Sequence, residues 1–446
     1  MEIFTIGGFN EVGKNMTVVQ HKEDVFIFDM GVYLPAIVEL QEQDTEHKEV
    51  SEKKLRNIGA LPDDLILDKI GLRNKVRAIF LGHAHLDHIG AVPYIAYRYD
   101  APLVGTPFTT TVLKKIMEDD NMNIPNQIKS INPNSSFFVK GKSGNYQVDF
   151  INITHSTLQT SMIALHTPEG IVLYANDFKL DDNPILGLPP NYDLLRKIAK
   201  EGIKALIVDS LYSGAEIKTP SEKIARALVE EVLTTIKYED SAIFVTTFSS
   251  HIARLKSIVD YAKKLDRDIY FVGRSMKKYV SAAMDVGMCP FQKDIYLTSY
   301  KKQVESVMKK VEKNRNNSLV VCTGHQGEPG SIMDRLSRGV MPFKFRQRDN
   351  VIFSSKTIPT PVNVENRSQM DKRLKKFGVR IFDNIHVSGH AGREDLRDLI
   401  SLIHPTNIIP AHGSVEQLMP MISLAKEMGY KPSNCHSLRN GQKLKL

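Results

Sequence analysis

The segment KVRAIFLGHAHLDHIG, residues 75–90, constrains the fold more than any other part of this chain. Val76 to Leu81 is a short apolar run of the kind that forms a buried strand. It ends at Gly82 and then places His83, His85, Asp87 and His88 within six positions, in a chain with only 14 His among 446 residues. Residues i and i+2 of an extended chain point the same way, so the imidazoles of His83 and His85 can converge on one ion. Asp87 and His88 follow where the chain turns into a helix, IGAVPYIAYRY. They project at a different angle and can serve a second ion. Imidazole nitrogen with carboxylate oxygen suits zinc or manganese.

Four residues are too few for two metals. Further candidates stand at strand ends, the usual place for active sites in layered α/β folds. His155 ends FINITH, Asp177 ends IVLYAND and His412 ends NIIPAH. A carboxylate such as Asp177 can bridge two cations. The set then divides into His83, His85 and His155 on one ion and Asp87, His88 and His412 on the other, with Asp177 and a hydroxide shared. Taken alone, each distant residue is as often a cap or surface group; the cluster is what recruits them.

The first third of the chain reads as β-rich. MEIFTIGG, MTVVQH, DVFIFDMG, KVRAIFLGH, QVDFINITH, GIVLYANDF and IKALIVDS are short apolar or alternating runs bounded by Gly, Asp or Asn. The charged stretch at residues 42–64 reads as a surface insertion, part helical. From about residue 220, helical and strand patterns alternate: SEKIARALVEEVLTTI, SAIFVTTFSS, HIARLKSIVDYAKKL, RDIYFVG, NSLVVCTG and NVIFSS. That alternation implies a parallel α/β sheet. The last segment, from NIHVSGH through VEQLMPMISLAKEMG, reads strand–helix–strand–helix.

Charge is unevenly spread. Residues 1–210 hold 21 Lys and Arg against 27 Asp and Glu, whereas residues 211–380 hold 31 against 18. The basic middle is what a segment touching a polyanion would show, or equally a solvated lysine-rich surface. The 3 cysteines, Cys289, Cys322 and Cys435, are far apart and form no CxxC pair, so neither a disulfide framework nor a thiolate zinc site is indicated. A reducing, cytoplasmic setting is expected. The N-terminus lacks the basic and apolar regions of a signal peptide, and no apolar run is long enough to span a membrane.

HAHLDH, with Asp29 in FDMG, His155, Asp177 and His412, resembles the metallo-β-lactamase superfamily and its αββα sandwich. A related family with Glu at the second ligand position carries out iron redox chemistry; His85 stands there and favours hydrolysis. The long basic insertion between Asp177 and His412 resembles the β-CASP domain of nucleases. Asp209 in IVDS, His390 in VSGHAGRED and His412 in PAHG match that family's acidic and histidine motifs, although DSLYSG is not the usual continuation after Asp209. TFSSHIARL, VGRSM, CTGHQGEPGS, IFSSKTIP and the C-terminal run are similar to the ribonuclease J family, most of all its archaeal branch.

The resemblance implies three segments: 1–208 and 381–446 forming the metallo-β-lactamase domain, with 209–380 as the inserted β-CASP domain. It implies a 5′→3′ exoribonuclease for single-stranded RNA, acting through two divalent ions, zinc or else manganese. A 5′-monophosphate preference and accompanying endonuclease activity are part of that expectation. Asp87 joins the catalytic set, His390 is the candidate acid for the leaving 3′-oxygen, and Asp209 orients it. Asp29 would hold a ligand-bearing loop rather than the metal. Ser249, Arg274, Ser355 and Ser388, with His390, are nominated for the RNA phosphates by motif match, each serine being as readily an ordinary turn residue. The extra C-terminal domain of many bacterial members is expected to be absent, which leaves open whether the chain forms a homodimer or higher homo-oligomer. Three other readings stand beside this one: a purely endonucleolytic β-CASP enzyme, a small-molecule metallo-hydrolase, and a metal-retaining RNA-binding protein without turnover.

Overall fold

The computed structural model of the chain describes residues 1–43, 51–235, 240–358 and 360–446. Two sheets face each other. The first has seven strands in the order Lys443–Lys445, Glu2–Gly7, Met16–His21, Asp24–Phe28, Val76–Leu81, Leu103–Gly105 and Ile128–Ser130. The second has six, in the order Asn407–Ala411, Ile203–Asp209, Gly170–Ala175, Ser161–Thr167, Asn145–Asn152 and Ser135–Lys140.

Strand periodicity explains the layering. Phe26, Phe28, Ala78 and Phe80 point from the first sheet into one shared core with Phe150, Leu165, Val172, Tyr174 and Ile207 of the second. Their neighbours Val25, Ile27, Ile79 and Leu81 face the other way, into a core roofed by helices. Leu173, Leu206 and Val208 do the same for the second sheet, under helices Tyr192–Glu201, Arg393–Ile403 and Val415–Glu427. The result is an αββα sandwich. Each Phe fully buried between the sheets contributes about 1.5–3 kcal/mol.

The third sheet has six strands, all parallel, in the order Tyr296–Thr298, Asp268–Val272, Ser318–Cys322, Ile243–Thr246, Asn350–Phe353 and Arg380–Phe382. Its four inner strands are near-continuously apolar and buried on both faces, as parallel sheets require, while the two edge strands are partly exposed. Ile243, Val245 and Phe271 face a core that runs on into the helical layer of the first sheet, while Phe244, Tyr270 and Val351 pack under the opposite helices. This inserted lobe therefore seats directly on the sandwich. The chain then returns, and Asn407–Ala411 pairs in parallel with Ile203–Asp209.

Two sequence expectations need correction. NIHVSGH is not a strand. Its Ile385 and Val387 are buried in alternation, but its carbonyls bond to side chains instead of a neighbouring strand. Ile385 accepts from Ser354 Oγ and Arg254 Nη1, Gly389 from His155 and His390 from Thr219. IGAVPYIAYRY is not one helix either. It divides into Leu86–Ile89, Val92–Ile95 and a 3₁₀ turn, Ala96–Arg98. Pro93, the second residue of the second piece, brings no N–H for the first, and the Ala91 N–H is diverted to the carbonyl of Met30 at 2.9 Å. Of the charged insertion, Glu52–Asn57 is helical and the helix Leu34–Gln43 ends at its start, while residues 44–50 lie outside the described residues. The three cysteines are free, with Cys289 and Cys322 buried. Among the described residues no helix is long and apolar enough to cross a membrane.

Candidate metal centre

The strand Val76–Leu81 runs its buried end to Gly82, and the next turn is Leu86–Ile89, preceded by His85 in extended conformation. The two imidazoles on the extended part and the two groups on the helical turn therefore diverge, as their spacing requires. Asp87 is held against the strand-end loop at residues 29–31: a Cβ on Gly31 would stand only 1.6 Å from the Asp87 carbonyl oxygen, so no larger residue fits there. Asp29, Asp177 and His412 all follow strand ends with left-handed backbone, φ 61°, 59° and 64°. Such geometry is uncommon for residues other than glycine and tends to collect at functional sites.

Two ligand groups result. His83, His85, His155 and Asp177 offer donor atoms that all lie within 4.8 Å of one another, as do Asp87, His88, Asp177 and His412. In the first, His85 Nδ1 is 3.1 Å from His83 Nε2 and 3.2 Å from His155 Nε2. Asp177 Oδ2 is 3.5 Å from His83 Nε2 and 3.7 Å from His155 Nε2. Ligands about 2.0–2.1 Å from a tetrahedral zinc stand about 3.3 Å apart, so this spacing fits that ion. In the second, His88 Nε2 is 3.2 Å from Asp177 Oδ2 and 3.6 Å from Asp87 Oδ2, and His412 Nε2 is 3.9 Å from Asp87 Oδ2.

The charge states favour cations. Burial holds the His83 and His155 imidazoles well below their ordinary value and His85 at about 4, so all three present neutral lone pairs. Burial also opposes charge on His88, but Asp177, Asp87 and Asp29 outweigh it and raise that group well above 6.5. Asp177 is buried yet kept ionised by His412 and His88, and its Oδ1 accepts no hydrogen bond from the described residues. A buried carboxylate oxygen without a donor is costly unless a cation completes it. The residues present therefore fit a divalent metal site.

Asp29 accepts three hydrogen bonds beside the ligand groups. Its Oδ2 accepts from His88 Nδ1 and from the Tyr174 hydroxyl, both at 2.7 Å, and its Oδ1 accepts the Gly82 N–H at 2.8 Å. This fixes the His88 ring with Nε2 turned inward. His155 is fixed likewise, its Nδ1 donating to the Gly389 carbonyl at 2.7 Å.

On a third side stand Asp209 and His390, grouped with Asp177. His390 Nδ1 lies 2.8 Å from Asp209 Oδ2, and its ring centroid is 5.0 Å from His155 and 5.4 Å from His412. Burial works against its charge, but Asp209 and Asp177 overcome that and raise it to about 9.

The nominated phosphate residues are scattered in character. Ser388 Oγ accepts the His390 N–H at 3.0 Å, and Ser249 is half-buried in the loop after Ile243–Thr246. Ser355 is buried, its hydroxyl unpaired among the described residues. Arg274 is 68% exposed and pairs with Asp119 at 3.0 Å rather than with any group of the cluster. Sequence reasoning missed Asn15, whose Nδ2 donates to the Asp87 carbonyl and lies 2.9 Å from His412 Nδ1, and Ser250, 3.0 Å from His85 Nε2. A polar residue before a strand, or one serine in a pair, carries no such signal. His386 and His251 are not ligands: they pack around Arg254 and Glu222, and His325 packs on Phe248. His47 lies outside the described residues.

The metallo-beta-lactamase superfamily model matches residues 10–273. The ribonuclease J, beta-CASP domain model matches residues 240–371, and the Zn-dependent metallo-hydrolase RNA specificity domain model matches 378–435. Ribonuclease J of the archaeon Methanocaldococcus jannaschii is 39% identical over 99% of this chain and 98% of its own length. The chain belongs to the ribonuclease J family. Within the family, the protein from Pyrococcus abyssi is 42% identical over 96% of this chain and 93% of its own, and that from Thermus thermophilus is 28% identical over 100% of this chain and 74% of its own. A solved Enterococcus faecalis protein of unknown function shares the fold at TM-score 0.66 and 18% identity, over 100% of this chain and 99% of that one.

Proposed function

We propose that this chain, a metal-dependent ribonuclease, is a two-metal 5′→3′ exoribonuclease of single-stranded RNA in RNA processing and decay. It prefers 5′-monophosphate ends and has an accompanying endonuclease activity. The observation that carries the phosphodiesterase reading is Asp177 shared between two four-residue ligand groups, with His390 and Asp209 on its third side. Two divalent cations, zinc before manganese, would supply a water acidic enough to ionise near neutral pH and offset charge on the scissile phosphate. His83, His85 and His155 would hold one and Asp87, His88 and His412 the other.

The chain's own groups supply the remaining chemistry. The departing 3′-oxygen needs a proton. His390 carries one, its Nδ1 turned to Asp209, which leaves Nε2 to donate. The Ser355 hydroxyl, without a partner among the described residues, suits a terminal phosphate, and Ser388 and Ser249 are nominated with it by motif match. Arg274 would have to leave its pairing with Asp119 to take that role. The division at residues 209 and 380 belongs to the same reading; the third sheet's strands run from Ile243 to Phe382, two residues past the second boundary. Cytoplasmic location rests on the widely spaced, free cysteines, and a homo-oligomeric state on the resemblance.

The test is digestion of 5′-monophosphate, 5′-triphosphate and 5′-hydroxyl RNAs of one sequence, each labelled at either end, by wild type and Asp87→Ala. Mononucleotides released in order from monophosphate ends support the exonuclease. Internal fragments independent of the 5′ group would mean a purely endonucleolytic enzyme, and no turnover would leave only an RNA-binding protein.

A further inference from the structure

His85 is contacted from a different part of the molecule than its fellow ligands. Ser250 lies in the loop after Ile243–Thr246, at the carboxyl end of the third sheet, and is 5% exposed. Its Oγ is 3.0 Å from His85 Nε2. The other ring nitrogen, Nδ1, is the one turned to His83 and His155, at 3.1 and 3.2 Å. A neutral imidazole has one N–H and one lone pair. If Nδ1 gives its lone pair to a cation, the proton must be on Nε2, and Ser250 Oγ is its acceptor. One residue earlier, the buried Tyr279 of helix Arg274–Asp285 donates its hydroxyl to the Ala84 carbonyl at 3.0 Å. The inserted lobe thus grips Ala84 and His85 at adjacent points.

The other subsite is built differently. His88 is fixed by Asp29, which is held in turn by Tyr174 and Gly82, all on the two sandwich sheets or the loops at their strand ends. His412 ends the sandwich strand Asn407–Ala411 and touches Asn15, which precedes another.

We propose that Ser250 is a positioning residue. It fixes the tautomer and ring plane of His85, and it makes the inserted lobe a structural part of the His83–His85–His155 subsite, while the Asp87–His88–His412 subsite depends on the sandwich alone. The proposal rests on the reading that these residues bind cations. Its consequence is that the two sites are unequal. Disturbing the lobe's first loop weakens one ion and leaves the other in place.

The experiment is a zinc titration of metal-stripped full-length wild type, Ser250→Ala and Ser250→Thr against a chelating indicator, with ion content after dialysis measured by elemental analysis. Removing such a support typically weakens metal binding about 10–100-fold. The expected result is two ions on wild type, one weakened by that factor in the alanine variant, and recovery with threonine, which restores the hydroxyl. Wild-type affinity for both ions in Ser250→Ala overturns the proposal, and so does a threonine variant as weak as alanine. If wild type itself holds a single ion, the two-metal reading fails, and Ser250 is then judged on whether alanine weakens that ion. Nitrogen-15 spectra of the imidazoles in zinc-loaded wild type need no variant: an Nε2–H tautomer at His85 is expected, and an Nδ1–H tautomer sinks the idea.

Discussion

His390 and Asp209, 181 positions apart in sequence, meet at 2.8 Å between Nδ1 and Oδ2 on the open side of the metal cluster. The pairing gives the imidazole a fixed direction and a reason to stay protonated.

Replacing His390 with Ala should therefore lower kcat about 10²–10⁴-fold, the usual size of a general-acid contribution, with a small change in KM for RNA. A variant that loses only affinity and keeps full kcat would assign His390 to phosphate binding instead. The pH profile gives a second check. An acid must be protonated, so activity should fall as pH rises through the His390 pKa. The surrounding carboxylates raise that pKa to about 9, and cations on Asp177 and Asp87 would pull it back towards 6.5. In Asp209→Asn the alkaline limb should move to lower pH, because the largest of the raising charges is gone. An unmoved limb would show that another group supplies the proton.

Metal affinity should rise with pH through neutrality. His88 is raised well above 6.5, so without metal it carries a proton that an incoming cation must displace. His83, His85 and His155 are held low and contribute no such cost there. Zinc binding by calorimetry in buffers of different ionisation enthalpy should report proton release, with weaker binding at pH 6 than at pH 8. Heats and affinities independent of buffer and pH would contradict the charge state assigned to His88.

Asp29→Asn should weaken zinc binding about 10–100-fold, although Asp29 is not expected to touch the ion. Its carboxylate is the acceptor for His88, Tyr174 and Gly82 together, and an amide cannot accept from all three in the same geometry. The change is read by competition with a chelator. Wild-type affinity would mean that the His88 ring is held by packing alone.

At the junction of lobe and sandwich, Arg254→Ala should cost about 3–5 kcal/mol in denaturant unfolding. Arg254 is fully buried and bonds both Glu222 oxygens, the Ser354 carbonyl and hydroxyl, and the Ile385 carbonyl. Removing it strands a buried carboxylate that it and His251 keep ionised against burial. The double variant Glu222→Gln, Arg254→Met should recover part of the loss, because both charges leave together. A single alanine variant as stable as wild type would show the network to be dispensable.

Affinity for single-stranded RNA should fall linearly in log–log plots against salt, with a slope near −0.7 per phosphate neutralised. Residues 211–380 carry the excess of Lys and Arg. Charge-reversing substitutions there should flatten the slope, and a slope unchanged by them would place the RNA track elsewhere.

The sequence by itself determined the local part of the candidate site, His83, His85, Asp87 and His88, because that information lies within one segment. The i, i+2 spacing of His83 and His85 beyond a strand, and the placing of Asp87 and His88 on the next turn, follow from backbone geometry that needs no partner. Strand alternation likewise determined both faces of Asp24–Phe28 and Val76–Leu81. Only the tertiary structure decided the rest. NIHVSGH alternates like a strand, but secondary structure needs a neighbour to pair with, and its carbonyls found Ser354, Arg254, His155 and Thr219 instead. Which strand-end residues meet, and that Asn15 and Ser250 touch the ligands, depends on contacts across hundreds of positions. A hydrogen bond is made by approach in space, and no pattern within one segment encodes which distant group approaches.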